Sequence, residues 1–246
     1  MIFRFCCYGM MVWCSGAALG EPQQVPQAPP VALAEDRSPT ARPDPNRFAG
    51  EIERFAKEEP EKGGIVFTGS SSIRLWTQLK EDFAGLPVVN RGFGGCVSHD
   101  LSVFFETIIG RHEPKLIVTY SGSNDLAERL TVDEAFADYI AFLDLTHQRF
   151  PAAKVIVTSV KISPRRVLQT PQVNELNQRL SDWCKGKDWL RYLDCTRYLA
   201  DAENQPIATF FRDDLLHLSE SGYAEWKAIL EPVVRDEWAK VAPPAP

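Results

Sequence analysis

The stretch Ile65-Val66-Phe67-Thr68-Gly69-Ser70-Ser71-Ser72-Ile73-Arg74-Leu75-Trp76 decides the fold. Its first four residues are apolar or β-branched and end at a glycine, which predicts a short buried strand over 65–68. Apolar residues at 73, 75, 76, 79 and 83 then share one helical face and predict a helix over 72–83. A strand that breaks directly into a helix places its turn at the C-terminal edge of a parallel sheet, where open α/β folds bind ligands. The first N–H groups of that helix point out of the turn and favour negative charge.

The same alternation continues on both sides of this stretch. Further strands are predicted at 88–90, 116–120, 155–160 and 189–194, and helices at 46–59, 99–110, 132–149, 171–185 and 219–240. The last helix opens on Ser219 as N-cap and carries a kink point at Pro232. Near-continuous apolar strands alternating with helices imply an α/β protein whose parallel sheet is covered on both faces. Right-handed crossovers narrow it to a three-layer αβα sandwich, a flavodoxin-like parallel five-stranded sheet or its Rossmann-like relative.

Composition bounds the rest. The chain has 246 residues, 44% hydrophobic and 24% charged, an ordinary globular balance. A net charge of −6 argues against a nucleic-acid partner, and no apolar run suits a transmembrane span. Residues 1–20 hold one charge, Arg4, then an apolar run and the small-residue site Ala18-Leu19-Gly20. That is the pattern of a secretory signal peptide, so the expected location is secreted or periplasmic. Cys14 raises lipoprotein anchoring as a lesser alternative, against which bulky Trp13 stands.

Residues 21–47 are rich in Pro, Gln and Ala and are expected to be a disordered linker, with 242–246 a disordered tail and 48–241 the folded domain. Cys6, Cys7 and Cys14 fall in the signal, leaving Cys96, Cys184 and Cys195. Cys184 and Cys195 could pair, but three buried free thiols is the favoured expectation.

Four short motifs fall at strand ends or in loops able to reach the same edge: Gly69-Ser70-Ser71, Gly94-Gly95, Gly122-Ser123-Asn124-Asp125 and Asp214-Leu215-Leu216-His217. By themselves the first and third are ordinary turns or helix caps, and the last a solvated acidic loop with a packed His. In this order they resemble the signature blocks of the SGNH hydrolase superfamily, the GDSL-type esterases and lipases, across nearly all of 62–230. The resemblance implies a flavodoxin-like sandwich, in agreement with the strand pattern, and a serine esterase. It aligns Ser71 with the nucleophile, Gly95 with the second block's glycine, Asn124 with the third block's amide, and Asp214 and His217 with the last block. One departure stands out: Ser70 occupies the place where the family usually carries Asp.

The chemistry these positions imply is coherent. An alcohol is a weak nucleophile at neutral pH and needs a base within hydrogen-bond reach. Imidazole, with an unperturbed pKa of ~6.5, can take a proton and return it, which is the role for His217. Asp214 would fix its tautomer, and residues three apart meet on one turn. The N–H groups of Ser71 and Gly95 and the Asn124 amide would form the oxyanion hole.

The expected substrate is a small-molecule or carbohydrate ester, with a short acyl group such as acetyl. A lysophospholipase or thioesterase-like acylhydrolase, a non-catalytic carbohydrate-binding domain and a flavodoxin-like cofactor binder are the alternatives. No metal-ligand spacing occurs, so neither a metal nor another cofactor is expected. His99 is expected to cap the helix after the second strand, and His112 and His147 to lie at the surface or at helix ends. Arg74 and Trp76 are expected to pin the first helix. Lys161, Arg165 and Arg166 are expected to be a solvated loop, with contacts to a polar or anionic substrate as the alternative.

The signal reading is directly testable. Expressed with its own N-terminus in a bacterium that exports such proteins, the chain should lose about twenty residues. N-terminal sequencing that finds Met1 on cytoplasmic protein would contradict it.

Overall fold

The computed structural model describes residues 40–242. The expected signal, most of the expected linker and residues 243–246 lie outside them. A 3-10 turn, Pro45–Phe48, leads into α1 (Ala49–Lys57). Then come β1 (Ile65–Gly69), α2 (Ser71–Arg74), α3 (Leu79–Asp82), β2 (Val88–Gly92), α4 (Ser98–Val103) and α5 (Phe105–Ile108). They are followed by β3 (Leu116–Tyr120), α6 (Ser123–Ala127), α7 (Val132–Arg149) and β4 (Lys154–Thr158). The chain closes with α8 (Thr170–Cys184), β5 (Leu190–Leu193) and α9 (Glu220–Val241).

All five strands are parallel, in the order β2-β1-β3-β4-β5. This is the flavodoxin-like order. Side chains alternate between faces along each strand, as the pleat demands. Ile65, Phe67, Leu116, Val118, Tyr120 and Ile156 pack under α2, α3 and α9, with Trp76 and Trp226. Val66, Ile117, Val155 and Val157 pack on the other face against α1, α4, α5, α7 and α8. Cys184 belongs to the second layer and Cys195 to the first, so the sheet lies between them. All three described cysteines are free and buried.

Several boundaries differ from expectation for packing reasons. The helix expected over 72–83 is two short helices. Trp76 N–H closes a tight turn on the Ile73 carbonyl at 3.0 Å, and the indole turns into the core. There its Nε1–H donates to Asp82 at 2.7 Å, and its ring packs against Phe83 and Tyr223. The helix expected over 99–110 breaks at Phe104, which lets Phe104 and Phe105, neighbours on the chain, both pack on the core. The short helix α6 is not among the predicted helices, although its first residues read as a helix cap. Packed chain also begins before residue 48. Arg42 bonds Asp138 on α7 at 2.7 and 3.1 Å, and the Thr40 N–H donates to Glu134. Residues 40–47, expected to belong to the linker, are thus packed against α7 at Thr40 and Arg42.

His112 is not a surface residue. It is buried and accepts at Nε2 from Arg91 Nε at 3.0 Å, while Nδ1 lies 3.1 Å from the Glu61 carbonyl. Arginine only donates, so the ring is neutral with its proton on Nδ1. Burial and the nearby Arg91 and Arg111 charges lower its pKa, outweighing the Glu61 bond. A depressed folded-state pKa contributes stability that is complete above the unfolded value of ~6.5 and is lost as pH falls through the folded value. Urea unfolding at pH 7.5 and 5.5 should therefore show a larger acid loss in wild type than in His112→Gln. Glutamine keeps one acceptor and one donor but cannot titrate. The His112 share of the slope cannot exceed ~1.4 kcal/mol per pH unit.

Candidate active site

The site is built where β1 stops. Gly69 has φ +131°, and a Cβ there would stand 1.9 Å from the Tyr120 carbonyl oxygen. Only glycine can bring the chain that close to β3. The Ser70 N–H donates to the same carbonyl at 3.1 Å, and the Ser70 carbonyl accepts from Ile73 and Arg74, starting α2 at Ser71. The Ser70 side chain makes no capping bond. The backbone alone therefore forms this turn without the aspartate usual in the first block. Ser71 is half-buried on the first turn.

The opposite wall is the loop before α9. An isolated bridge between Phe211 and Leu218 closes it, and Arg212 N–H donates to the His217 carbonyl at 2.8 Å. Leu215 turns the loop with a left-handed φ of +58°. Asp214 Oδ1 accepts from the N–H groups of Leu216 and His217, each at 2.9 Å. Its Oδ2 lies 2.6 Å from His217 Nδ1. Burial pushes the Asp214 carboxyl up, but the bonds from the His217 ring, the His217 N–H and the Leu216 N–H outweigh it and hold it well below the usual carboxylate range. An ionised Asp214 only accepts, so Nδ1 carries the proton. A neutral ring then presents a bare Nε2, which lies 3.0 Å from Ser71 Oγ. Ser71, Asp214 and His217 thus form one hydrogen-bonded chain.

Gly95 and Asn124 meet on a second side. Phe93 N–H donates to the Gly69 carbonyl at 2.9 Å, which carries the β2 loop up beside α2. Gly95 has φ +87° with open space around it, so the backbone conformation rather than crowding calls for glycine. Asn124 Nδ2 donates to the Cys96 carbonyl at 3.0 Å, joining this loop to α6. Among the described residues the N–H groups of Ser71 and Gly95 have no acceptor.

The loop after β4 departs from expectation. Lys161 is 4% exposed, with Nζ 3.4 Å from the Tyr120 hydroxyl. Arg166 is half-buried and bonds Ser123 and Asn124. Neither cation has a carboxylate partner among the described residues. Only Arg165 is solvated, and its N–H donates to the Leu215 carbonyl at 3.0 Å. Pro164 starts a 3-10 turn, Pro164–Gln169, that rolls the chain back over α6. The only sequence signal for these placements was a cluster of cations after a strand on the ligand edge.

Asp125 was also missed. It is buried, accepts from Ser98 N–H at 2.8 Å, and burial pushes its carboxyl up to about 6. Arg74 is exposed and lies over Gly94, where a Cβ would stand 2.6 Å from its Nε. His99 lies inside α4 and is not its cap, since Asp100 accepts from the Val97 N–H at 2.9 Å. His147 ends α7 stacked on Trp189 at 4.2 Å. Among the described residues no three of His, Cys, Asp and Glu group closely enough to hold a metal.

The GDSL-like lipase/acylhydrolase family model matches residues 63–225. The chain belongs to that family. As a GDSL-like lipase/acylhydrolase it is an ester-hydrolysing enzyme.

Solved structures agree on the fold. A GDSL-like lipase from Bacteroides thetaiotaomicron superposes with TM-score 0.65 at 22% identity, covering 78% of this chain and 98% of its own. A family 3 carbohydrate esterase from Talaromyces cellulolyticus gives 0.60 at 16% identity, covering 73% and 100%. A serine-to-alanine mutant of an acetyl esterase, solved with an acetate ion, gives 0.60 at 15%, again covering 73% and 100%. No curated protein sequence matches this one. No described helix is long and apolar enough to cross a membrane.

Two glycines of the site should respond differently to one methyl group. Gly95→Ala meets open space and only a positive φ, so it should fold and lose about 1–2 kcal/mol. Gly69→Ala must displace the Tyr120 carbonyl, so it should lose more than ~4 kcal/mol or fail to accumulate. Thermal unfolding of the two proteins checks the contrast.

Proposed function

We propose that this enzyme hydrolyses a carboxylic ester through an acyl-serine intermediate, with Ser71 as nucleophile, His217 as base and Asp214 as its orienting carboxylate. The observation that carries the reading is the hydrogen-bonded chain from Asp214 through His217 to Ser71, with contacts of 2.6 and 3.0 Å. Ser71 Oγ attacks the ester carbon as its proton passes to His217 Nε2. The carbonyl oxygen becomes an oxyanion, to which the Ser71 N–H, the Gly95 N–H and the Asn124 amide donate. His217 then gives its proton to the departing alkoxide, leaving acyl-Ser71. A water, deprotonated by His217, attacks that ester and regenerates the serine.

The preferred acyl group is short, such as acetyl on a carbohydrate or small molecule. Support comes from the acetyl and carbohydrate esterases sharing the fold. We place the enzyme outside the cytoplasm, on the pattern of residues 1–20.

One specific observation favours longer acyl chains instead. Val167, Leu168 and Leu215 are 39%, 91% and 43% exposed, on two loops tied by the Arg165–Leu215 backbone bond. An apolar rim of this kind suits a lysophospholipid or thioester tail. Rates on acetyl, butyryl, octanoyl and acetylated-sugar esters separate the two, since the short-acyl reading requires acetyl to lead.

The mechanism is tested by substitution. Ser71→Ala should lose hydrolysis and fluorophosphonate labelling while keeping the fold, whereas Ser70→Ala and Ser72→Ala should keep much of both. His217→Ala and Asp214→Asn should each lower kcat by on the order of 10⁴- to 10⁶-fold. The double variant should be little worse than His217→Ala, because groups acting as a unit are not additive. kcat/KM should fall on the acid side as the base is protonated. Additive losses would make Asp214 a structural loop residue, and activity flat from pH 5 to 8 with chemistry limiting would argue against His217 as the base.

A further inference from the structure

We infer that Arg166 is a positioning residue for the oxyanion hole, holding the Asn124 amide in the one orientation that presents its N–H to the developing charge. The inference rests on the proposed acyl-serine reading of the site.

The geometry is a fork on a single acceptor. Arg166 Nη1 and Nη2 each donate to Asn124 Oδ1 at 3.1 Å. Nη1 also reaches the Ser123 carbonyl at 2.9 Å and the Ser123 hydroxyl at 2.8 Å. Guanidinium has donors only, so it must face the oxygen end of the amide. The nitrogen end then faces the Gly95 loop, where Nδ2 donates to the Cys96 carbonyl at 3.0 Å. An amide nitrogen carries two hydrogens, and one is spent on Cys96. The other is left for the oxyanion.

Without Arg166 the amide is held at one end by a single bond and can turn its oxygen toward the nucleophile. That orientation would repel an oxyanion instead of stabilising it. Two charge-assisted bonds to Oδ1 also draw electron density from the nitrogen and strengthen the remaining donor. This accounts for a half-buried guanidinium that has no carboxylate partner among the described residues. A charge withdrawn from water without a counter-ion is costly, and here every bond it makes is to the third motif. The placement comes from the 3-10 turn after β4, which returns the chain over α6. Its neighbour Arg165 fastens the same turn to the loop of Asp214 and His217 through the Leu215 carbonyl.

A double-mutant cycle tests the assignment, using full-length enzyme and a p-nitrophenyl acyl ester. Arg166→Ala should lower kcat roughly tenfold to hundredfold, less than the 10²–10³ of deleting an oxyanion donor outright. KM should stay within about twofold, because the amide acts on the transition state and not on the bound ester. The same change made in an Asn124→Ala background should cost less than about twofold, since Arg166 acts through that amide. Guanidinium ion should restore part of the kcat of Arg166→Ala and none of that of the double variant.

An undiminished loss in the Asn124→Ala background would overturn the inference. So would a risen KM with kcat intact, which would make Arg166 a substrate contact, or an unchanged kcat. If Arg166→Ala does not fold, Arg166→Lys and Arg166→Gln go through the same cycle with the same criteria. Fluorophosphonate labelling of wild-type Ser71 separates the two levels. If the wild type neither labels nor hydrolyses, the acyl-serine reading falls and this inference with it. If it does both, the cycle judges Arg166 alone.

Discussion

Everything at the site depends on how one inner strand ends. β1 is paired on both sides, to β2 and to β3, so its backbone has no freedom to shift along the sheet. At Gly69 the ladder closes against the Tyr120 carbonyl at a separation that excludes any side chain. The chain must leave the sheet there, and the next residues start a helix because the Ser70 carbonyl collects the N–H groups of Ile73 and Arg74. A serine one residue into that helix sits over the sheet edge with its N–H unspent. A backbone constraint, not a side-chain one, thus places the nucleophile proposed here.

The rest of the site is brought to that point by the sheet order. Because β3 follows β1 in space, α6 starts beside α2, and the Gly95 loop is held between them by the Phe93 and Asn124 bonds. The loop of Asp214 and His217 comes from far along the chain and is fixed differently. Helix α9 lies on the same face as α2, and Tyr223 donates to the Ser72 carbonyl at 2.9 Å. That bond registers the two helices. The bridge between Phe211 and Leu218 and the two N–H bonds to Asp214 then make the loop rigid without burying it. Exposure matters here, since an ionised carboxylate costs little where water can reach it and its remaining bonds are satisfied.

Much of this was legible in the sequence. Strand positions could be read because apolar runs between helical patterns mean a sheet covered on both sides, and the strands lie within two residues of where the pattern put them. The four motifs could be read because their residue types suit one chemistry and their order matches a known family. What could not be read depends on contacts between distant segments. The break at Trp76 follows from an aromatic cluster that gathers Phe67, Phe83, Tyr223 and Trp226 from three elements. His112 looked like a helix-end residue because nothing near it in sequence announces Arg91, 21 positions away, as its partner. The cations after β4 looked solvated because a polar loop of that composition usually is.

The sequence by itself determined the class of fold, the order of its elements and the family, since these rest on local periodicity and on short motifs whose spacing is carried along the chain. Only the tertiary structure decided that His217 Nε2 faces Ser71, that Asp214 spends one oxygen on the ring and the other on its own backbone, and that Arg166 grips Asn124. Each of these is a matter of ångströms and direction between segments as much as 146 residues apart. Local propensity carries no information on such distances. Burial of two apolar layers against one sheet, and the satisfaction of polar groups at its edge, supply it.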